Sequence, residues 1–246
     1  MIYFIELAFD GTNYSGWQKQ KNGISVQQII NEKLSLKLGE LIEVTGAGRT
    51  DAGVHAEHFV AHFETNTEIK TDFIQDMNKF LPNDITFNSV NKVNDDAHAR
   101  FSAITRTYQY RISTKKNPFL WNFTHYYYGK LNIENMNKAA SILINVSDFT
   151  SFSKLHGNTK TNICKVLKAE WQQKDDLIIF TITANRFLRN MVRAIVGTLL
   201  EVGKEKISIK DFEKIIEAKD RCMASISAPA KGLFLTGIEY DKIIYK

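Results

Sequence analysis

Cysteine is nearly missing from this chain. Its 246 residues hold two, Cys164 and Cys222, in no CxxC or Cys/His ligand spacing, so neither a disulfide framework nor a structural zinc site is supported. Free thiols suit a reducing cytoplasm, which is the expected location. Long apolar runs are also missing. The longest candidate, around Met191 to Val202, is interrupted by Arg193 and Glu201 and falls short of the roughly 20 residues that a membrane-spanning helix needs. No export signal is expected at the N-terminus, since Ile2 to Phe9 alternates apolar and polar positions instead of joining a basic region to an apolar one. With three prolines and no Pro-rich, Ser-rich or low-complexity stretch, the chain lacks a linker, and its halves are expected to pack closely.

What is present is the composition of an ordinary globular protein, 43% hydrophobic and 24% charged, enough for one large core or two smaller ones. The formal net charge of +5 is a mild pull toward polyanions. Its distribution says more. Residues 1–103 carry 9 Lys/Arg against 14 Asp/Glu, whereas residues 104–246 carry 23 against 13. The second half is therefore expected to make most phosphate contacts, although a solvated basic surface without a partner has the same composition.

Alternating apolar positions predict strands at Ile2–Phe9, Leu41–Thr45, Glu57–Phe63 and Ile85–Val93. Between them, Ser25 and Gln28 predict a capping box, followed by the stripe Val26, Ile29, Ile30, Leu34 and a C-terminal Gly39. Asp72 is expected to cap a second helix that Pro82 ends. The second half repeats the order: a strand at Ile104–Ser113, a helix from Asn132 to about Asn145, and strands at Ile163–Gln173 and Leu177–Ala184. A long apolar helix through Leu188–Leu200, a short one near Ser208–Ala218 and a strand at Leu233–Tyr240 complete it. The fold class expected is α+β, two β-α-β-β-α-β (split βαβ, ferredoxin-like) halves, 1–103 and 104–246. Their sheets are expected to join into one largely antiparallel sheet with helices on one face and a central cleft. Thr114–Lys116 and Ser153–Thr161 read as loops bordering that cleft.

The most unusual stretch is GAGRTDAGVHA, Gly46 to Ala56. Its glycines allow a tight path that presents Arg49 and Asp51 at an edge. Neither phosphate-loop pattern, GxxxxGK[ST] nor GxGxxG, is present, which disfavours a nucleotide cofactor. From spacing alone, Thr50 and Asp51 read equally as turn stabilisers bonding to backbone. Arg193 lies in the apolar run MVRAIVG, where a charge facing the core needs a partner, or else it lies on an exposed face. Arg49 has Glu43 or Glu57 as alternative surface partners. His55 and His58 project to opposite faces of a strand and are read as packing or phosphate-contact residues, with no metal expected. Trp17 is either a base-stacking site or a buried anchor of the first loop.

The chain resembles the tRNA pseudouridine synthase A family (TruA) in six ordered blocks. Besides GAGRTDAGVHA these are FDGTNYSGWQKQ, FLPNDI, AHARFSAITRTYQYRI, DFTSF and FLRNMVRAIVGTLLEVG, spanning Phe9 to Gly203. The resemblance implies isomerisation of uridine to pseudouridine in the tRNA anticodon stem-loop, at positions 38, 39 and 40. It makes Asp51 the nucleophile and Arg193 the guanidinium that keeps it ionised. Tyr108 becomes the tyrosine that stacks on the target base and serves in proton transfer. Tyr110, its same-face neighbour, is left to the core. Arg49 becomes the residue that extrudes the nucleotide and replaces it in the stem. No cofactor is implied, because the reaction needs no oxidation, energy input or metal. A homodimer gripping tRNA is implied as well.

The sequence departs from the family pattern at Ala97, where an aromatic is frequent, and in brief loops after Ser113 and Lys154. These segments bear on target choice, and relatives with the same catalytic loop modify other tRNA sites. An RNA-binding protein without turnover and a uridine N-glycosylase are the competing classes.

Overall fold

The computed structural model describes residues 1–154 and 160–246. Over these the fold is α+β, with nine largely antiparallel strands and five α-helices, the class that the alternating and helical patterns predict. The chain divides into two compact units, Met1–Thr105 with Leu235–Lys246, and Arg106–Phe234. No helix among the described residues is long and apolar enough to cross a membrane.

The first unit runs β1 (Ile2–Phe9), α1 (Val26–Leu38), β2 (Thr45–Gly46), β3 (His55–Glu64), α2 (Phe73–Phe80) and β4 (Ile85–Lys92). Strand β1 pairs antiparallel with both β3 and β4, and β2 pairs with β3. On the far side of β3 lies β9 (Leu233–Tyr240). Alternation along β1 places Tyr3, Ile5, Leu7 and Phe9 on one face, all buried. Tyr3 stacks on Phe63, and Phe9 meets Phe59, each at 5.7 Å between ring centroids. Burying each such side chain contributes about 1.5–3 kcal/mol. Phe4 is equally buried on the opposite face, against Tyr240 and Tyr245.

Helix α1 starts and stops where predicted. Ser25 Oγ accepts from Gln28 N–H, and Gly39, at φ 70°, donates its N–H to Ser35 O. Only half of the capping box forms, because the Gln28 side chain donates to Glu32 instead. The Asp72 cap does not form. Asp72 already has helical backbone angles, which turn its carboxylate away from the N–H groups that a cap must reach. The expected strand Leu41–Thr45 shrinks to Thr45–Gly46. Side chains of α1 take the backbone groups that a ladder would need: Ile42 N–H donates to Ser35 Oγ, Val44 N–H to Asn31 Oδ1, and Gln27 Nε2 donates to Val44 O.

The second unit contains most of β5 (Ala103–Ser113), then β6 (His125–Tyr126), α3 (Ile133–Ile142), β7 (Val166–Lys174), β8 (Leu177–Ala184), α4 (Met191–Gly203) and α5 (Ile209–Glu217). Its strands run β5-β8-β7, all antiparallel, with β6 parallel to the end of β5. β7 begins three residues later than expected. Ile163 bridges Asp148, and Cys164 N–H donates to Ser147 O, so this backbone is used before the ladder with β8 starts. Helix α4 packs against both α3 and α5. All of its residues are buried except Arg193 and Glu201. Of the expected loop Ser153–Thr161, residues 155–159 lie outside the described residues.

Candidate active site

In the first unit, Arg49 and Asp51 lie on the loop between β2 and β3. Strand pairing anchors its start, where Ala47 N–H donates to Val60 O. The loop is then crossed by the segment after β1. Trp17 N–H donates to Thr50 O, Gly53 N–H donates to Tyr14 O, and within the loop Val54 N–H donates to Asp51 O. The crossing is close enough to require glycine. A Cβ on Gly16, at φ 87°, would lie 2.3 Å from Thr50 O, and one on Gly11 would lie 2.0 Å from Val54 O.

Two buried side chains complete the joint. Trp17 stacks on Phe59 at 4.1 Å and fills the space beside Gly46, so it anchors the first loop and is not an exposed platform for a base. His55, 1% exposed, places Nδ1 3.0 Å from Asp10 Oδ1 and 3.1 Å from Gly11 N. It joins the segment after β1 to the end of the site loop. His58 accepts from Ile238 N–H through Nδ1, which makes it a packing residue between strands. Among the described residues no group of three or more His, Cys, Asp or Glu has metal-holding geometry.

Within that frame Asp51 is half-buried and Arg49 exposed. Arg49 Nε donates to Gln18 Oε1 at 2.8 Å. Thr50 is buried with its hydroxyl unpartnered, so it does not act as a side-chain turn stabiliser. Tyr14, whose hydroxyl donates to Asp84 at 2.6 Å, is raised well above the usual tyrosine range by burial and that carboxylate. Nothing in the sequence pattern gives a role to Tyr14, Gly11, Gly16 or Gln18. Their signal was present in the block FDGTNYSGWQKQ, but nothing in the spacing tied that block to the loop at 46–56.

The second unit carries Tyr108 and Arg193 on regular elements. Tyr108 lies on β5 opposite Ile182 of β8, half-buried, with its ring edge-on to Phe187 at 5.1 Å. Tyr110, two residues on, is fully buried, and its hydroxyl donates to Pro229 O at 2.9 Å. The two tyrosines share a face of the strand but differ in burial, one partly accessible and one in the core as expected. Arg193 stands in the first turn of α4, partly exposed, with Nε donating to Ala228 O at 2.8 Å. Its charge opposes the rise that burial imposes on the Tyr110 hydroxyl. Arg106, at the start of the same face as Tyr108, donates to Asn185 O.

A family model described as tRNA pseudouridine synthase matches residues 7–102 and 139–241. The chain belongs to the tRNA pseudouridine synthase family. It is 53% identical to the tRNA pseudouridine synthase A of Bacteroides fragilis over 247 residues, covering 99% of this chain and 98% of that protein. It is 51% identical to the enzyme of the same name from Azobacteroides pseudotrichonymphae, again over 99% of this chain and 98% of the other. A more distant relative, from Clostridium acetobutylicum, is 41% identical over 96% of this chain. The family match includes Arg49, Asp51 and Arg193, whereas Tyr108 falls between its two segments. The full-length relatives span that gap.

Proposed function

We propose that this tRNA pseudouridine synthase acts, in the cytoplasm, on uridines 38, 39 and 40 of the anticodon stem-loop, with Asp51 as nucleophile after the target base is flipped out. The bond between uracil N1 and ribose C1′ breaks, the base turns, and C5 bonds to C1′. C5 loses a proton and N1 ends with one, so atoms and electrons balance without an external reagent. An ionised Asp51 attacks either C1′ or the base. Arg193 keeps that carboxylate charged. Tyr108 holds the base by stacking and takes part in moving the C5 proton, while Arg49 fills the space that the base leaves. The enzyme works as a homodimer, with a basic second half helping to deliver tRNA.

The observation that carries this reading is the locked loop, on which a half-buried carboxylate and an exposed guanidinium stand two residues apart. Precision of that kind serves covalent chemistry, for which a misplacement of about 1 Å costs about 100-fold. The test is to incubate the protein with an unmodified tRNA transcript and map pseudouridine. Asp51→Ala is expected to abolish product while tRNA binding persists. Pseudouridine from that variant would overturn the nucleophile, and free uracil from the native protein would make it a glycosylase. A light-scattering mass of one chain at micromolar concentration would overturn the dimer.

A further inference from the structure

Arg193 is held by a segment that buries few side chains of its own. After α5 the chain crosses back over α4, where a Cβ on Gly197 would lie 2.0 Å from Ile226 O. Ile226 is 89% exposed and Met223 56%, so apolar burial does not account for the path. Main-chain bonds do. Ala228 N–H donates to Arg193 O at 2.9 Å, and Arg193 Nε donates back to Ala228 O at 2.8 Å. Ser225 N–H donates to Thr198 Oγ1, and Ser227 Oγ accepts from Asn190 Nδ2 at 2.6 Å and from Arg221 Nη2 at 3.1 Å. Beyond Ala228, Pro229 O receives the Tyr110 hydroxyl.

We propose that Ser225–Pro229 is a strap that orients the Arg193 guanidinium, and that Tyr110 is a positioning residue that fixes the strap. The inference rests on Arg193 being the partner of the nucleophile. A guanidinium whose Nε is committed to a fixed carbonyl meets a carboxylate through its Nη edge, the geometry of a bidentate pair. The bond to Ala228 O sets the plane of that edge. Tyr110, on β5, fixes the next carbonyl along. Its phenol ring is wedged against Gly232, where a Cβ would lie 2.9 Å from Tyr110 Cζ.

Tyr110→Phe keeps the ring and removes only the donor. On an unmodified tRNA transcript its kcat is expected to fall about tenfold, with KM and tRNA affinity within about twofold of native. Combined with Arg193→Lys, Tyr110→Phe should add no further loss. Unchanged kcat in folded Tyr110→Phe, a loss confined to KM, or the same tenfold loss on top of Arg193→Lys would each overturn the strap. Ser227→Ala, which cuts two anchors outside the core, should show the same pattern at about threefold and serves if Tyr110→Phe does not fold. Full activity in Arg193→Lys alone would instead sink the reading of Arg193 beneath the proposal.

Discussion

The two units hold their candidate site residues by different means. The first places Arg49 and Asp51 on a loop, and a second loop crosses it so closely that Gly11 and Gly16 admit no side chain. The second places Tyr108 and Arg193 on a strand and a helix, whose geometry is set by repeating backbone bonds and a buried face. A loop has no such repeat, so its precision comes from contacts with one particular neighbour. A loop-borne site should therefore be lost by adding a single methyl group at a crossing, whereas an element-borne site should depend on what is strapped across the element.

Gly16→Ala tests the first half of that contrast and should have the largest effect. The new methyl meets Thr50 O at 2.3 Å in a backbone conformation, φ 87°, that alanine rarely adopts. Stability should fall by about 3 kcal/mol, and kcat/KM by about 100-fold in the fraction that remains folded. Gly48 lies in the same motif as Asp51, yet a Cβ there meets nothing within 4 Å. Gly48→Ala should melt like the native protein. If Gly48→Ala unfolds and Gly16→Ala does not, the loop is held by something other than the crossing.

Legibility in the sequence follows the same division. Strand β8 and helices α1 and α5 announce themselves, because one-faced burial imposes periods of two or 3.6 on the residues, whereas α4 announces itself as an apolar run broken at Arg193 and Glu201. Leu41–Thr45 reads as a strand but is not one, since Ser35, Asn31 and Gln27 reach over from α1 to take its backbone groups. That competition is between residues distant in sequence, and spacing cannot express it. Asp51 was visible as a candidate only through resemblance, for an aspartate beside glycine is ordinary turn chemistry. The strap was invisible for a further reason. Its partners are the carbonyls of Ala228 and Pro229, and every residue has a carbonyl.

Acid should weaken the first unit at an identifiable place. His62, on β3, accepts Ala99 N–H through Nδ1, and its ring lies 4.6 Å from that of His98. Burial, helped by His98, holds its pKa down from 6.5 to about 4. The unfolded chain thus binds a proton that the folded chain refuses. The neutral form's contribution to stability is complete above pH 6.5 and is lost as pH falls through that value toward 4. Asn at position 62 retains an acceptor near the place of Nδ1 without titrating. Denaturant unfolding from pH 7 to 4.5 should show a shallower loss for His62→Asn than for the native chain. Parallel curves would assign the acid sensitivity elsewhere, with His125 of the second unit, also lowered by burial, as the next candidate.

The smallest effects separate two helix starts in the first unit that look alike in sequence. Ser25 and Asp72 both stand where a cap belongs, but only Ser25 accepts a backbone N–H, at 3.3 Å from Gln28. Ser25→Ala should cost about 1 kcal/mol. Asp72→Ala should stay within about 0.5 kcal/mol, since an exposed carboxylate without a cap bond retains only its attraction to the positive end of the helix. The urea midpoints of the two variants decide the matter. A larger loss for Asp72→Ala would mean that the charge at the start of α2 outweighs the hydrogen bond at the start of α1. Salt would then distinguish the causes, because raising ionic strength screens the first and leaves the second.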